Sequence, residues 1–363
     1  MKRYLLLTVL FLLSACGSGG DPGTSGGSGI TPQGARILGM DVKEVPDYAT
    51  AYAEAMSLGV REVSVSLDWS LLEPSEGNYD NTLPGAIDAF YPAQAAYTTL
   101  VLRPLDTPGP RLPAYLAGKA FDDPAVITAF GNFLTNLHGQ LTNLNNSGKL
   151  KWIHVGNEID ATLGSDSTQW AAWQTFFNAA KAKIESLWGS SVVVSSVVQS
   201  SLLANSSALP LYQSFLNNAD AAVFTYYPLN GDFTVQPSSV VAGDFALMTR
   251  TIASKPIILQ ECGYPSGALN NSSEAQQADF ITAVFDAWDT QRDRITLIDF
   301  AWQYDVAEAT VDQWVMDYGM SGQPNEANFK NYLWTLGLGN NDGTDKQAMQ
   351  RLRDELAARN WGS

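Results

Sequence analysis

The chain of 363 residues is 45% hydrophobic and 16% charged, enough apolar material for one large buried core and too little charge for a disordered chain. Its formal net charge of −16 argues against nucleic acid or anionic polymers as partners and favours neutral ones. Two histidines and two cysteines, scattered rather than clustered, argue against a zinc site, and no cofactor is implied.

The chain opens with Lys2 and Arg3, an apolar run over residues 5–13, and Ser14-Ala15-Cys16, the pattern of a secretory signal that ends in a cysteine. Leu13-Ser14-Ala15-Cys16 resembles a bacterial lipobox. The resemblance implies cleavage after residue 15 and a lipid on Cys16, so that the protein is tethered to a membrane without spanning it. The expected location is the cell surface or periplasm, at the outer membrane if the organism has two, a sorting that Gly17 resembles. Simple secretion with cleavage nearby is the plainer alternative. Loss of Lys2 and Arg3 takes the formal charge from −16 to −18. Residues 16–34 read as a Gly/Ser-rich spacer and residues 35–363 as a single folded domain. With Cys16 carrying the lipid, Cys262 is left without a partner for a disulfide.

Short β-branched runs then recur at residues 36–42, 62–69, 98–106, 151–158, 191–198, 221–229, 256–263 and 295–304. Helical apolar spacing fills the gaps, for example at 47–58, 124–144, 169–187 and 273–288. Eight strands alternating with crossover helices predict a (β/α)₈ TIM barrel. A doubly wound sheet would want a Gly-rich phosphate turn after its first strand, and "GMDVKEVPD" has none. Residues 305–341 are long enough to cap the barrel before a last helix at 346–358.

Active sites of such barrels lie at the C-terminal strand ends. Those ends carry Asp41, Asp68, Trp69, Arg103, Asp106, Asn157, Glu158, Gln199, Tyr226, Tyr227, Glu261, Trp302 and Gln303. Glu158 closes the fourth run and Glu261 the seventh, so the two face each other across the mouth. Opposed carboxyls suit glycosidic hydrolysis, in which one protonates the leaving oxygen while the other attacks or stabilises the oxocarbenium-like centre.

"VGNE" on the fourth strand with "ECGYPS" on the seventh resembles the clan of retaining (β/α)₈ glycoside hydrolases, clan A. "GMDV", "VGNEI", "YYPL" and "YPS" are most similar to the arabinogalactan endo-β-1,4-galactanases, and "ECGYPSG" also resembles the β-1,3-glucanase motif. The second-strand "VSVSLDWSLLEPSEGNYD" departs from the galactanases and resembles other clan members, which leaves the sugar open. The resemblance implies Glu158 as acid/base, Asn157 as donor to the sugar 2-hydroxyl, Glu261 as nucleophile and Trp302 as the platform under the sugar. It also implies that one of Tyr226 and Tyr227 bonds the nucleophile, because alternation lets only one point inward. Glu158 is expected in the more apolar or more negative setting, and Glu261 to be kept ionised by a tyrosine and Arg103.

Arg103 could equally form an ion pair with Asp68 or Asp106, and Asp41 and Trp69 are expected to touch substrate or to carry buried hydrogen bonds. Trp170, Trp173, Trp314 and Tyr264 are candidate subsite residues, whereas Trp188 and Trp288 read as structural, His154 as an interior histidine and Cys262 as a small buried hydrophobe. The expected activity is endo-acting hydrolysis of a neutral β-linked polysaccharide or oligosaccharide, with retention, by a monomer. The rival readings are a catalytically silent glycan-binding lipoprotein and a transglycosylase that uses the same residues.

Overall fold

The computed structural model describes residues 30–43, 45 and 47–361; the signal segment, Cys16 and the spacer up to residue 29 lie outside the described residues. All eight expected runs form strands: β1 Ile37–Met40, β2 Glu62–Asp68, β3 Tyr97–Arg103, β4 Leu150–Val155, β6 Ala222–Tyr226, β7 Ile257–Cys262, β8 Ile295–Phe300, and β5 in two segments, Val193–Ser195 and Val197–Gln199. Every pairing among them is parallel. The sheet runs from the first half of β5 through β4, β3, β2, β1, β8, β7 and β6 to the second half of β5. Its two ends are therefore the two halves of one strand broken at Ser196, and the sheet closes as a (β/α)₈ barrel.

Burial on both faces explains why these strands read as nearly unbroken apolar runs, as in Ala222–Tyr226, which is buried throughout. Outward-facing residues meet the helix layer, where Tyr48–Ser57, Pro124–Gln140, Ser167–Trp188, Glu274–Thr290 and Gln347–Ala358 bury Phe130, Phe133, Phe176, Phe177, Phe280 and Leu352. Side chains of Asp47, Asp123, Asp166 and Ser273 accept backbone N–H bonds at four of those helix starts and set where each helix begins. Val197, Ala221, Val223, Ile258 and Leu297 form a small apolar plug with Ile37, Trp152 and Val193.

Most predicted strands overran the real ones where polar site residues followed an apolar run; the fifth instead fell one residue short of Gln199. After Val155, Gly156 turns left-handed at φ +82°, and a Cβ there would come within 2.5 Å of Ile159 and 2.7 Å of Trp173. Glu158 follows at φ +45°, also left-handed. This turn, rather than a continuing strand, aims Glu158.

Residues 305–341 do build a cap. Helices Glu308–Asp317 and Glu326–Trp334 enclose a second apolar cluster of Val311, Val315, Phe329, Tyr332, Leu333 and Leu336, against which Tyr227, Trp302, Trp314 and Tyr318 pack. The return from cap to barrel is pinned by Lys346, whose ammonium sits 2.7 Å from Asp305 Oδ2 and donates to the Thr335 and Gly337 carbonyls.

Candidate active site

Glu158 and Glu261 meet at the barrel mouth. On β6 the Thr225 hydroxyl donates to Glu158 Oε1 at 2.6 Å, and Thr225 is the register partner of Glu261 on β7. Neighbouring strands lie about 4.8 Å apart, so this link brings the two carboxyls into one cluster. The register of β7 shifts between Leu259 and Glu261. The bulge lets consecutive residues face inward: Gln260 reaches His154 on β4 at 2.6 Å, and Glu261 reaches the mouth.

Glu158 Oε2 accepts from Thr107 at 2.7 Å and from the Gln199 amide at 3.1 Å, so three donors surround this carboxyl. Glu261 Oε2 accepts from the Tyr227 hydroxyl at 2.7 Å. Alternation along β6 decides between the tyrosines: Tyr227 points to the site, whereas Tyr226 points outward and bonds Asp244 at 2.7 Å. The Tyr227 ring is held edge-on by Tyr332 of the cap, centroids 5.5 Å apart.

Both acids are raised. Burial and then the neighbouring Glu158 push Glu261 up to about 8. Burial also raises Glu158, against the pull of Thr225, Thr107 and Gln199. The expected ordering, with Glu261 held ionised and Glu158 alone raised, is therefore not produced by burial and charge, which act on both. Donor chemistry separates them instead. Thr107 and Thr225 are hydroxyls that turn from donor to acceptor when Glu158 takes a proton, whereas the Tyr227 phenol is the poorer acceptor and suits an ionised Glu261. Two raised acids this close favour one shared proton between them over two separate charges.

Next to the pair lies a charged network. Arg103 Nε is 2.7 Å from Asp68, and Asp106, almost fully buried, is 3.8 Å from Arg103 and 3.6 Å from Arg111. Burial pulls the Arg103 guanidinium down, but Asp68 and Asp106, followed by Tyr318 and Glu261, leave it above its ordinary value. Asn157 donates to Asp106 Oδ1 at 3.3 Å, and its buried Oδ1 has no partner among the described residues. On the far side Trp302 is half-buried, with the Trp314 ring 5.3 Å away and the Lys43 ammonium 4.8 Å from its ring centre. Asp41 sits 2.8 Å from that ammonium.

No protein-family model matches the chain, and no curated protein matches it. Solved structures do. A GH5_18 from Bifidobacterium longum subsp. infantis superposes with a TM-score of 0.65 at 16% identity, over 90% of this chain and 79% of that one. The Ignisphaera aggregans GH53 catalytic domain gives 0.62 at 14% identity, over 89% and 98%. An exo-β-1,4-mannosidase from Opitutaceae bacterium strain TAV5 gives 0.67 at 17% identity, over 93% of this chain and 62% of that longer one. The chain has the fold of the (β/α)₈ glycoside hydrolases. Within this barrel Glu158 follows the fourth strand and Glu261 lies on the seventh, the strand positions read from the sequence.

Of the alternatives the sequence left open, Trp69 and Tyr226 take the ones away from substrate, which corrects their place among the substrate-binding candidates. Trp69 does not reach the mouth: it opens the short helix Trp69–Leu72, is fully buried against Phe130, and donates its indole N–H to Glu73 at 2.7 Å. Tyr226 is likewise removed from the site by strand alternation. Arg103 takes the ion-pair alternative, facing Asp68 and Asp106 rather than bonding Glu261 directly. Among the subsite candidates, Trp170, Trp173 and Tyr264 are buried in the packing between elements, and Trp314 alone reaches the cleft side, through Trp302. Trp188 and Trp288 spend their indole N–H groups on Asn145 and on the Ile295 carbonyl. His154 is buried and neutral, lowered to about 4 by burial, with Nε2 unpartnered among the described residues.

Three residues of the site went unassigned in the sequence. Thr225 lies two positions before Tyr227 and so shares its face, a signal that alternation carries. Gln199 closes the fifth strand. Thr107 sits in a turn of the small hairpin Leu105–Asp106 and Gly109–Pro110, where no periodicity marks it. Among the described residues no set of His, Cys, Asp and Glu could hold a metal ion, and no helix is long and apolar enough to cross a membrane.

Proposed function

We propose that this protein is a retaining β-glycosidase acting on neutral β-linked glycans, with Glu158 as acid/base and Glu261 as nucleophile. The observation that carries the reading is the gathering of the two carboxyls at the mouth, where Thr225, beside Glu261 in the sheet, bonds Glu158 and each acid has its own donors. In the resting site the shared proton belongs on Glu158. Glu261, supported by Tyr227, attacks the anomeric carbon, the C–O bond to the leaving group breaks, and Glu158 gives its proton to the departing oxygen. Glu261 is then neutralised as an ester, so the repulsion that raised Glu158 is gone. Glu158 can now take a proton from water, whose oxygen attacks the anomeric carbon and frees Glu261. Thr107 and Thr225 can turn with each change of protonation.

Asn157 and Asp106 are placed to receive sugar hydroxyls, and Trp302, backed by Trp314, offers a face for the ring. Asp41 and Arg103 act at one remove, by orienting Lys43 and by balancing Asp106. A β-mannoside is the first substrate to test, because structures with this fold include the exo-β-1,4-mannosidase and a GH5_18 from Bifidobacterium longum subsp. longum in complex with Manβ1-4GlcNAc. The acid pair favours an enzyme over a silent glycan-binding protein, and transglycosylation would use the same residues.

The decisive experiment compares the wild-type protein with Glu261→Gln and Glu158→Ala on aryl β-glycosides and on β-mannan, galactan, β-1,3-glucan and xylan. Glu261→Gln should abolish turnover with the fold intact, whereas Glu158→Ala should lose less on activated aryl substrates and recover deglycosylation with azide. Undiminished turnover by Glu261→Gln would sink the assignment. Product length on the polysaccharides separates the endo action expected from the sequence from release of terminal sugars, and added acceptor sugars report transglycosylation.

A further inference from the structure

The barrel interior holds two acids that this chemistry does not use. Glu62 on β2 and Asp299 on β8 come from strands on opposite sides of β1, yet both are register partners of one residue, Gly39. A Cβ at position 39 would stand 2.3 Å from Glu62 Oε2 and 2.9 Å from Asp299 Cβ. The absent side chain is the gap through which the Glu62 carboxyl reaches across β1 to the Asp299 carboxyl.

Both acids are 1% exposed, and neither forms a salt bridge among the described residues. The Thr99 hydroxyl donates to Glu62 Oε1. Glu62 Oε2 and both Asp299 oxygens have no formed hydrogen bond among the described residues, although the Ser64 hydroxyl lies close enough to Asp299 to favour its ionised form. The titratable groups around them are also acids: Asp41 at the end of β1 and Glu261 on β7 face the pair, and Tyr52, Tyr91 and Cys262 feel it from the outer layer, while the Ser64 hydroxyl lies beside Asp299. Among the described residues no cation supplies the missing positive charge. A proton between the two carboxyls would supply both the charge and the donor.

We propose that Glu62 and Asp299 form a carboxylic acid–carboxylate pair, bridged through the gap at Gly39 by one retained proton, and that its single negative charge adds to the field that raises Glu261. Burial, the largest cause in each case, acts in the same direction, raising Glu62 to about 7 and Asp299 well above the carboxylate range. In the unfolded chain both acids ionise at their ordinary values. The folded protein therefore binds one more proton than the unfolded one between about pH 5 and pH 7, and the stability this contributes is lost as pH rises through the folded value.

Glu62→Gln replaces the bridging proton with an amide N–H, so that Asp299 ionises in the folded and unfolded states alike. Urea unfolding of the wild-type protein, Glu62→Gln and Asp299→Asn at pH 5, 6 and 7 tests the pair without any assay of activity. The ratio of wild-type to variant unfolding constants should rise about tenfold per pH unit. A ratio that does not change with pH overturns the proposal. Should a single variant fail to fold, carboxyl ¹³C NMR titration of the wild-type protein reads the pair directly. Assigned Glu62 and Asp299 carboxyls that titrate together above pH 6 support it, and ordinary values for both overturn it.

The link to Glu261 rests on the nucleophile assignment and has its own readout. In the double variant Glu62→Gln/Asp299→Asn the buried negative charge is gone, so the acidic limb of kcat/KM should move to lower pH. An unmoved limb overturns the link to Glu261, whereas a failure of the glycosidase reading itself would leave the unfolding result standing.

Discussion

Tyr227→Phe removes one hydroxyl from the site and leaves the ring in place against Tyr332. That hydroxyl is the one donor to Glu261 among the described residues, at 2.7 Å. A hydrogen bond to a charged group is worth about 1.5–3 kcal/mol net, and at about 1.4 kcal/mol per pKa unit its loss should raise Glu261 by roughly one to two units. The sign follows from what the bond favours. A donor stabilises the carboxylate, so without it Glu261 ionises at higher pH and the acidic limb of kcat/KM moves upward by that amount. The assay is a pH–rate profile on an activated aryl β-glycoside, which lessens the need for acid help. Tyr226→Phe is the matched control: its hydroxyl serves Asp244 on the outer side of the barrel, so the profile should stay where it is. An unmoved limb in Tyr227→Phe, or a limb moved by Tyr226→Phe instead, would refute the account of how Glu261 is supported.

Gly156→Ala should damage stability and activity together, because the new Cβ meets Ile159 and Trp173 within 2.8 Å at a left-handed position and displaces the turn that aims Glu158. The combined cost of backbone strain and overpacking is about 2–4 kcal/mol, measurable by urea unfolding, and a variant as stable and active as wild type would contradict the turn's role. Thermal stability should fall as pH rises from about 5 to 8, since Glu261, Asp160 and Asp305 have folded values raised to about 8, 7 and 6, and each loses its stabilising proton on the way up. Scanning calorimetry that finds no fall over this range would show that these groups are already ionised when folded. Cys16→Ser should shift the protein out of the membrane fraction, and an unchanged distribution would remove the lipid anchor from the account.

Much of the fold was legible because a closed parallel barrel buries both faces of its strands and repeats one unit eight times. Its β-branched runs stand out, and Asp47, Asp123, Asp166 and Ser273 mark helix starts locally. Glu158 and Glu261 were legible too, as charges that close apolar runs at the end of the barrel where chemistry collects. Strand position, which sequence order supplies, is enough to place those two.

What tertiary structure decided depends on direction and on neighbours distant along the chain. Trp69 and Arg103 both close runs that read as strands, but a helical turn buries the first and two aspartates claim the second. Tyr226 and Tyr227 are adjacent in sequence and opposite in space, and only the register of β6 against β7 says which one meets Glu261. Thr107, more than fifty residues from Glu158, became its partner through a loop with no periodicity to read. Gly39 makes the point most sharply: its missing side chain acquires meaning only when closure of the barrel sets β1 between β2 and β8, and two acids 237 residues apart meet over it. Sequence order and hydropathy determine the barrel and its two opposed glutamates. The balance of protons among its acids is set by burial and short-range contacts, which exist only once the chain has closed on itself.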